Sequence, residues 1–301
     1  MPRIVPKQLF HYTSADSITS ILRANGEVVL YATHIDYLND HQELHTGLDL
    51  IRDILEDSPD ELGTDRVVID YLKTYFSPES YMSQSRDFYV TCFSEARGTV
   101  DQWRGYGASG CGFAIGFKEN DLLVFSENNR YITFNKCLYN YDDQITALIK
   151  ASRDRAARHP ETNSNLKKEW SKTEADSFRC YDIAGALHLE ALRIKHSAYS
   201  QEREWRLVVD KRKRAIQILD DPTTLRHVNF RASKRGLIPY IELEMPTATS
   251  ALVGPHENQT ANANAITLLA SERNHKSLNY CLLYTSPSPR DATLSRMQSS
   301  A

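Results

Sequence analysis

The sequence predicts an α+β fold, and three observations lead there. Short apolar runs rich in β-branched and aromatic residues recur as FYVTCF, CGFAIGF and EWRLVV, each with the length of a strand. Between them lie stretches with apolar residues at helical spacing, above all residues 141 to 196. No internal repeat and no linker-like composition separates them, so residues 1 to 280 read as a single domain with a helical insertion at about 141–196.

The elements follow in order. LFHYTS (9 to 14) is a short strand whose Ser14 suits the N-cap of the next helix. Ile18, Ile21 and Leu22 then fall at helical spacing, and Gly26 stops that helix. VVLYAT (28 to 33) is a second strand. The polar loop HIDYLNDHQELH leads into a helix marked by Leu44, Leu48, Ile51 and Leu55. Val67, Val68, Tyr71, Leu72 and Tyr75 predict another helix near 64 to 76, with Pro78 just past its end.

FYVTCF is the next strand, TVDQWRGYG a short helix or turn, and CGFAIGF a strand with strict alternation. Cys111, Phe113, Ile115 and Phe117 share one face of it, Gly112, Ala114 and Gly116 the other. Small residues on one face let a backbone or a ligand approach closely. YITFNKCLYN (131 to 140) is a further strand, and the helical stretch after it is broken near His159-Pro160. KRKR (211 to 214) reads as a basic hairpin tip in solvent, or else as a phosphate-contacting patch. Short strands are expected at 226 to 231, 238 to 245 and 250 to 253, a turn at Gly254-Pro255, and a last helix near 260 to 272.

Composition narrows the function classes. With 41% hydrophobic and 25% charged residues the 301-residue chain is of ordinary globular type. The net charge of −3 offers no global attraction to nucleic acid or an anionic membrane. No apolar run reaches bilayer-spanning length, and MPRIVPKQLF lacks a signal-peptide pattern, so no membrane association is expected. Cys92, Cys111, Cys137 and Cys180 are dispersed without CxxC spacing, as in a reducing cytoplasm.

From Cys281 the chain reads CLLYTSPSPRDATLSRMQSSA, which resembles the translation of sequencing-adapter read-through. Residues 281 to 301 are therefore expected to form a disordered tail outside the fold, and a natural last strand to be missing.

The stretch YSQEREWRLVV (199 to 209) concentrates the charge. Leu207-Val208-Val209 is a buried strand, and Glu202 and Glu204 stand two residues apart at its start, on one face by strand period. Two carboxylates so close repel, so at least one requires a cationic partner or a task.

Taken in order, His11-Tyr12-Thr13, Phe93-Ser94 with Trp103 and Tyr106 behind them, and the strand-opening Glu204 resemble the H-Y-E pattern of the ADP-ribosyltransferase superfamily. The resemblance implies split sheets and a reaction that transfers ADP-ribose from NAD. It makes Glu204 the carboxylate that stabilises the oxocarbenium-like ribose. Glu202, in a Glu-x-Glu arrangement, would act as base on the acceptor. His11 and Thr13 would hold the ribose and carboxamide, and Phe93, Tyr106 or Tyr89 would stack on nicotinamide. Arg206 would contact the cofactor, and Asn39 would either cap the following helix or touch the adenine ribose.

At closer range the motifs YLND…E (37 to 43), CFSE…D..W..YG..G.GFAIGF (92 to 117), K…YSQEREWRLVV (195 to 209), LIPYIEL (237 to 243) and LVGP (252 to 255) resemble a bacterial family known as domain of unknown function 2971. The ADP-ribosyltransferase resemblance further implies a role in bacterial toxin or phage-defence systems. The acceptor, protein or nucleic acid, is left open, as is the oligomeric state. Two competing readings remain. One is a non-catalytic module of the same fold that binds a nucleotide or a partner through aromatic grooves with Lys195, Arg206 and the KRKR tip. The other is a metal-dependent hydrolase built on His34, Asp36, Asp40, His41, Glu43 and His45. The second lacks a distant ligand set, so no metal is expected. No Gly-rich phosphate loop is present, which argues against an NTPase or a dehydrogenase.

Overall fold

The structure is a computed structural model that describes residues 7–38, 42–80, 88–98, 103, 112–159, 172–211, 227–233 and 236–282. Among them the strands are β1 (Gln8–Ser14), β2 (Val28–His34), β3 (Phe88–Ser94), β4 (Gly112–Lys118), β5 (Ile132–Lys136), β6 (Glu204–Asp210), β7 (Asn229–Ser233), β8 (Gly236–Met245), β9 (Ser250–Val253) and β10 (Asn279–Leu282). The helices are α1 (Ala15–Ile21), α2 (Gln42–Asp57), α3 (Arg66–Tyr75), α4 (Glu119–Glu127), α5 (Tyr141–Ala156), α6 (Lys172–Ala191) and α7 (Gln259–Glu272). The mixture of helix and largely antiparallel sheet is the expected α+β class. Its contacts group into two compact units, each assembled from non-contiguous segments, where the sequence reading expects one domain.

The first unit comprises residues 1–30, 93–125 and 244–301. β1 pairs antiparallel with β4 along its whole length, from Gln8 opposite Lys118 to Ser14 opposite Gly112. β4 continues to β9, and β10 adds in parallel beside β9. Cys281 and Leu282 pair with Leu252 and Val253, so the strand extends two residues into the stretch expected to lie outside the fold. Backbone hydrogen bonding to an open strand edge sets that limit, whatever the origin of the side chains.

The small face of β4 receives the protein's own side chains. In register, Ala114 faces Tyr12 and Gly116 faces Phe10. A β-carbon on Gly116 would stand 2.2 Å from Ser250 Oγ and 2.9 Å from Phe10 Cε1. Phe10, Tyr12, Ala114 and Leu252 form a small buried cluster with Trp103 packed on it. Close approach is the right reading of these small residues, and core packing is what approaches. The sequence reading missed α4, in which Leu122 is the buried residue and Glu119 and Asp121 occupy the acidic first turn.

The second unit comprises residues 31–92 and 126–243. β2 and β3 run antiparallel, with Thr33 opposite Val90 and His34 opposite Tyr89. β7 and β8 form an antiparallel pair, and β5 pairs antiparallel with β6, which lies beside β3. α2, α3, α5 and α6 share one apolar core that includes Leu48, Ile51, Leu72, Leu148, Ile183 and Leu187, together with Phe88, Val90 and Val208 from the strands. α5 and α6, the described helices of the 141–196 stretch, thus share this core with α2 and α3. Close packing needs the smallest side chain at one point: Gly47 of α2 lies against the backbone of Ala191, whose carbonyl oxygen would be 2.4 Å from an added β-carbon.

Candidate functional site

The acidic stretch resolves into a compact ion network in the second unit. Ser197–Glu202 forms a 3-10 turn, and Arg203 takes a left-handed conformation (φ 45°) before β6 opens at Glu204. Glu202 therefore lies on the turn, and strand period does not bring the two carboxylates together. The turn and the left-handed step do so, and Lys195 holds them there. Lys195 Nζ stands 2.5 Å from Glu202 Oε2 and 2.5 Å from Glu204 Oε2. Arg206 Nε donates to Glu204 Oε1 at 2.7 Å. The expectation that crowded carboxylates need a cation is met by Lys195, which the sequence reading named only as a groove cation.

Burial differs sharply between the two acids. The Glu204 side chain is 7% exposed and that of Lys195 3%, whereas Glu202 is 29% exposed. Burial by itself would push the Glu204 carboxyl up. The Arg206 guanidinium and the Lys195 ammonium outweigh it and hold the group down at about 2. Glu204 is thus a carboxylate at any physiological pH. The Cys92 thiol donates to it, and burial, reinforced by that carboxylate, drives the thiol well above its ordinary range.

The backbone around the network is tied from several sides. The Glu204 N–H donates to the Tyr139 hydroxyl at 2.9 Å, and its carbonyl accepts from Cys137 N at 2.8 Å. Burial keeps the Tyr139 phenol protonated, its pKa pushed well above the ordinary value. The Gln144 amide donates to the carbonyls of Leu138 and Lys195, each at 2.9 Å, and fixes the segment that presents Lys195. Arg206 Nη1 donates to the Leu192 carbonyl at 2.6 Å, just past the C-terminal end of α6. A cation there also meets the negative end of the helix dipole. Arg206 is therefore a structural cation of the network, where the resemblance implies a cofactor contact.

Among the described residues, the implied nicotinamide and ribose contacts belong to the first unit, except Tyr89. Phe93 is 2% exposed and packs between His11 (5.8 Å) and Phe117 (5.8 Å). Tyr89 is 3% exposed and meets the ring of His34 edge-on. Neither presents an open ring face for stacking. Thr13 and Ser94 are buried, and Ser94 Oγ accepts from the Ala96 N–H at 2.9 Å. The Tyr12 hydroxyl donates to the Ala96 carbonyl and accepts from the Gly98 N–H, both at 2.7 Å, so it pins the loop after β3. His11 and Trp103 are half-buried, and Trp103 packs edge-on against Tyr12 at 4.9 Å. Tyr106 and Asn39 lie outside the described residues, as do Asp40 and His41 of the metal reading.

Among the described residues no three His, Cys, Asp or Glu side chains converge as a metal site. His34 Nδ1 instead accepts from the Asp36 N–H at 3.3 Å and caps the turn after β2. No helix among the described residues is long and apolar enough to cross a membrane.

Residues 102–207, about a third of the chain, match the profile of a family described as Protein of unknown function (DUF2971). The match supports the family likeness carried by the motifs, and Lys195, Glu202, Glu204 and Arg206 all fall within it. No curated protein and no solved structure gives a significant match.

Proposed function

We propose that the chain transfers ADP-ribose from NAD to an acceptor, with the Glu202–Glu204 centre supplying the carboxylates. The reading is supported by one observation above the rest: two carboxylates converge on Lys195 at the mouth of β6, one buried and one reachable. Glu204, ionised and clamped by Lys195 and Arg206, is the anchor of the centre. Glu202 is the acid a substrate can touch. In the reaction the bond between nicotinamide and ribose C1′ breaks, and nicotinamide leaves with the electron pair. The acceptor nucleophile bonds to C1′ and passes its proton to Glu202. A fixed carboxylate facing the sugar stabilises the cationic transition state, and proton transfer to a positioned base contributes roughly 10²- to 10⁴-fold.

A second reading has its own support. Both oxygens of Glu204 are engaged by Lys195 and Arg206 in a buried setting, as in an ion network that serves the fold. A non-catalytic module that binds a nucleotide or a partner would need no more than that.

Nicotinamide release and label transfer from tagged NAD separate the two, using the full chain beside Glu202→Gln. Release by the parent protein and a loss of about 100-fold or more in a folded Glu202→Gln variant support the transferase. A folded parent protein that consumes no NAD in the presence of cell lysate leaves the binding module standing. The size and nuclease sensitivity of the labelled product identify the acceptor as protein or nucleic acid.

A further inference from the structure

A cationic and aromatic cluster stands on the sheet of the second unit and shares no residue with the Glu202–Glu204 network. β8 lies beside β2, and β7 ends the order of the described strands. Tyr31 of β2 and Tyr240 of β8 bring their rings together at 4.3 Å with a tilt of 33°. Arg231 of β7 stands over both, its Cζ 5.9 Å from each ring centroid. Its Nη2 donates to Thr33 Oγ1 at 3.1 Å, and Thr33 shares a face of β2 with Tyr31 by strand period. Tyr31, Tyr240 and Arg231 are all half-buried, so part of each side chain stays open to solvent.

The charge of Arg231 is not consumed inside the protein. Among the described residues it makes no ion pair, and the bond to Thr33 occupies one N–H of a guanidinium that carries several. The acid on the same face of β8 is Glu242. Arg231 is level with Ile238, and Glu242 lies further along β8, about 13 Å away by strand rise. At that separation a solvent-reached carboxylate is largely screened. The local sequence leans the same way. Between Asp221 and Glu242 stand Arg226, Arg231, Lys234 and Arg235 with no Asp or Glu, in a chain whose net charge is −3. Arg231 is the one of these four among the described residues. The positive charge is thus segregated, which a whole-chain sum conceals.

The pairing of ring faces with a cation decides the occupant. A simple anion or an acidic peptide would use Arg231 and leave the tyrosine pair idle. A mononucleotide would use both, but an open face at the end of a sheet gives a small ligand little enclosure. A single nucleic-acid strand alternates planar bases with phosphates, stacks the bases on aromatic side chains and lays its backbone along cations. It also gains from release of the counterions on each phosphate contacted. A duplex keeps its ring faces in its own stack. We propose that the face formed by Tyr31, Tyr240 and Arg231 binds single-stranded nucleic acid, a base stacked on the tyrosine pair and an adjoining phosphate on the Arg231 guanidinium. Binding of this kind tolerates any sequence and needs neither NAD nor Glu202.

The test is fluorescence anisotropy of the full chain with labelled oligothymidylate and oligouridylate of about twelve nucleotides, within the usual site sizes. At about 50 mM salt a dissociation constant on the order of 10 μM is expected, weakening as salt rises. Binding of either strand supports the assignment, and the tighter one identifies DNA or RNA as the partner. Arg231→Gln should weaken binding about tenfold and lower the salt slope by about 0.7, the loss of one phosphate contact to a single strand. Tyr240→Leu should weaken it by a similar factor with the slope unchanged. Tyr240→Phe keeps the ring and should bind as the parent does. Mere loosening of the fold would not separate affinity from slope in this way. No binding up to about 100 μM, or a salt slope unaltered in Arg231→Gln, would overturn the proposal. So would equal affinity for a duplex of the same length, or equal displacement of the strand by AMP or by polyglutamate.

Discussion

Lys195 Nζ lies 2.5 Å from Glu204 Oε2, and both side chains are almost wholly buried. The pair sits where the end of α6, the 3-10 turn and the first residue of β6 meet, so three backbone segments depend on one set of charges. Arg206 on the far oxygen of Glu204 and Glu202 on the near side of Lys195 complete it, two positive charges against two negative. Breaking such a pair from one side costs more than the pair contributes, because the remaining charge stays buried.

Glu204→Gln should therefore destabilise the protein by about 3–5 kcal/mol, measured by urea unfolding. Glu202→Gln, whose partner retains Glu204 and which is partly solvated, should cost about 1 kcal/mol or less. Combining Glu204→Gln with Lys195→Met should recover part of the loss, since the buried Lys195 charge left without Glu204 is then removed, while Arg206 keeps its bond to the Leu192 carbonyl.

The acid dependence follows from the same carboxylate. Its folded value of about 2 lies below the ordinary 4.5, so the unfolded chain binds the proton more readily. The stabilisation is therefore complete above about pH 4.5 and is lost as the pH falls toward 2. The stability gap between the parent protein and Glu204→Gln should be flat near neutrality and narrow across that window, as read from unfolding curves at a series of pH values.

Tyr12→Phe removes one donor and one acceptor at once, leaving the Ala96 carbonyl and the Gly98 N–H without their partner. A loss of about 1–3 kcal/mol is expected. Faster amide exchange at Gly98 would report it locally.

Gly47→Ala opposes two effects. Helix propensity favours alanine by about 1 kcal/mol, whereas the added methyl would meet the Ala191 backbone at 2.4 to 2.9 Å. Backbone cannot swing aside as a side chain can, and overpacking costs about 1–3 kcal/mol. The substitution should lower the melting temperature despite its better propensity.

Much of the secondary structure was legible because it depends on local period and punctuation. FYVTCF, CGFAIGF and EWRLVV are strands, and the stretches led by Leu48, Val68 and Ile266 are helices near their expected limits. The strand expected over 131–140 ends at Lys136, because Leu138 turns away to bridge Ile194. α4 escaped notice because its nine residues carry a single buried position, too little to print a helical period. The need for a cation beside Glu202 and Glu204 was legible from like-charge repulsion. That the cation is Lys195, seven and nine residues upstream, was not.

By itself the sequence determined the class of fold, most element limits and the concentration of charge at the start of β6, because each depends on neighbours in the chain. Tertiary structure alone decided which partners those charges take. The left-handed step at Arg203 brings Glu202 beside Glu204, while the Gln144 clamp on Lys195 and the Arg206 bond to the Leu192 carbonyl join segments 51 and 14 residues apart. It also decided that the small face of β4 receives Phe10 and Ser250, and that Phe93 is core. Shape complementarity between separate elements carries no local period, so no reading along the chain could supply it.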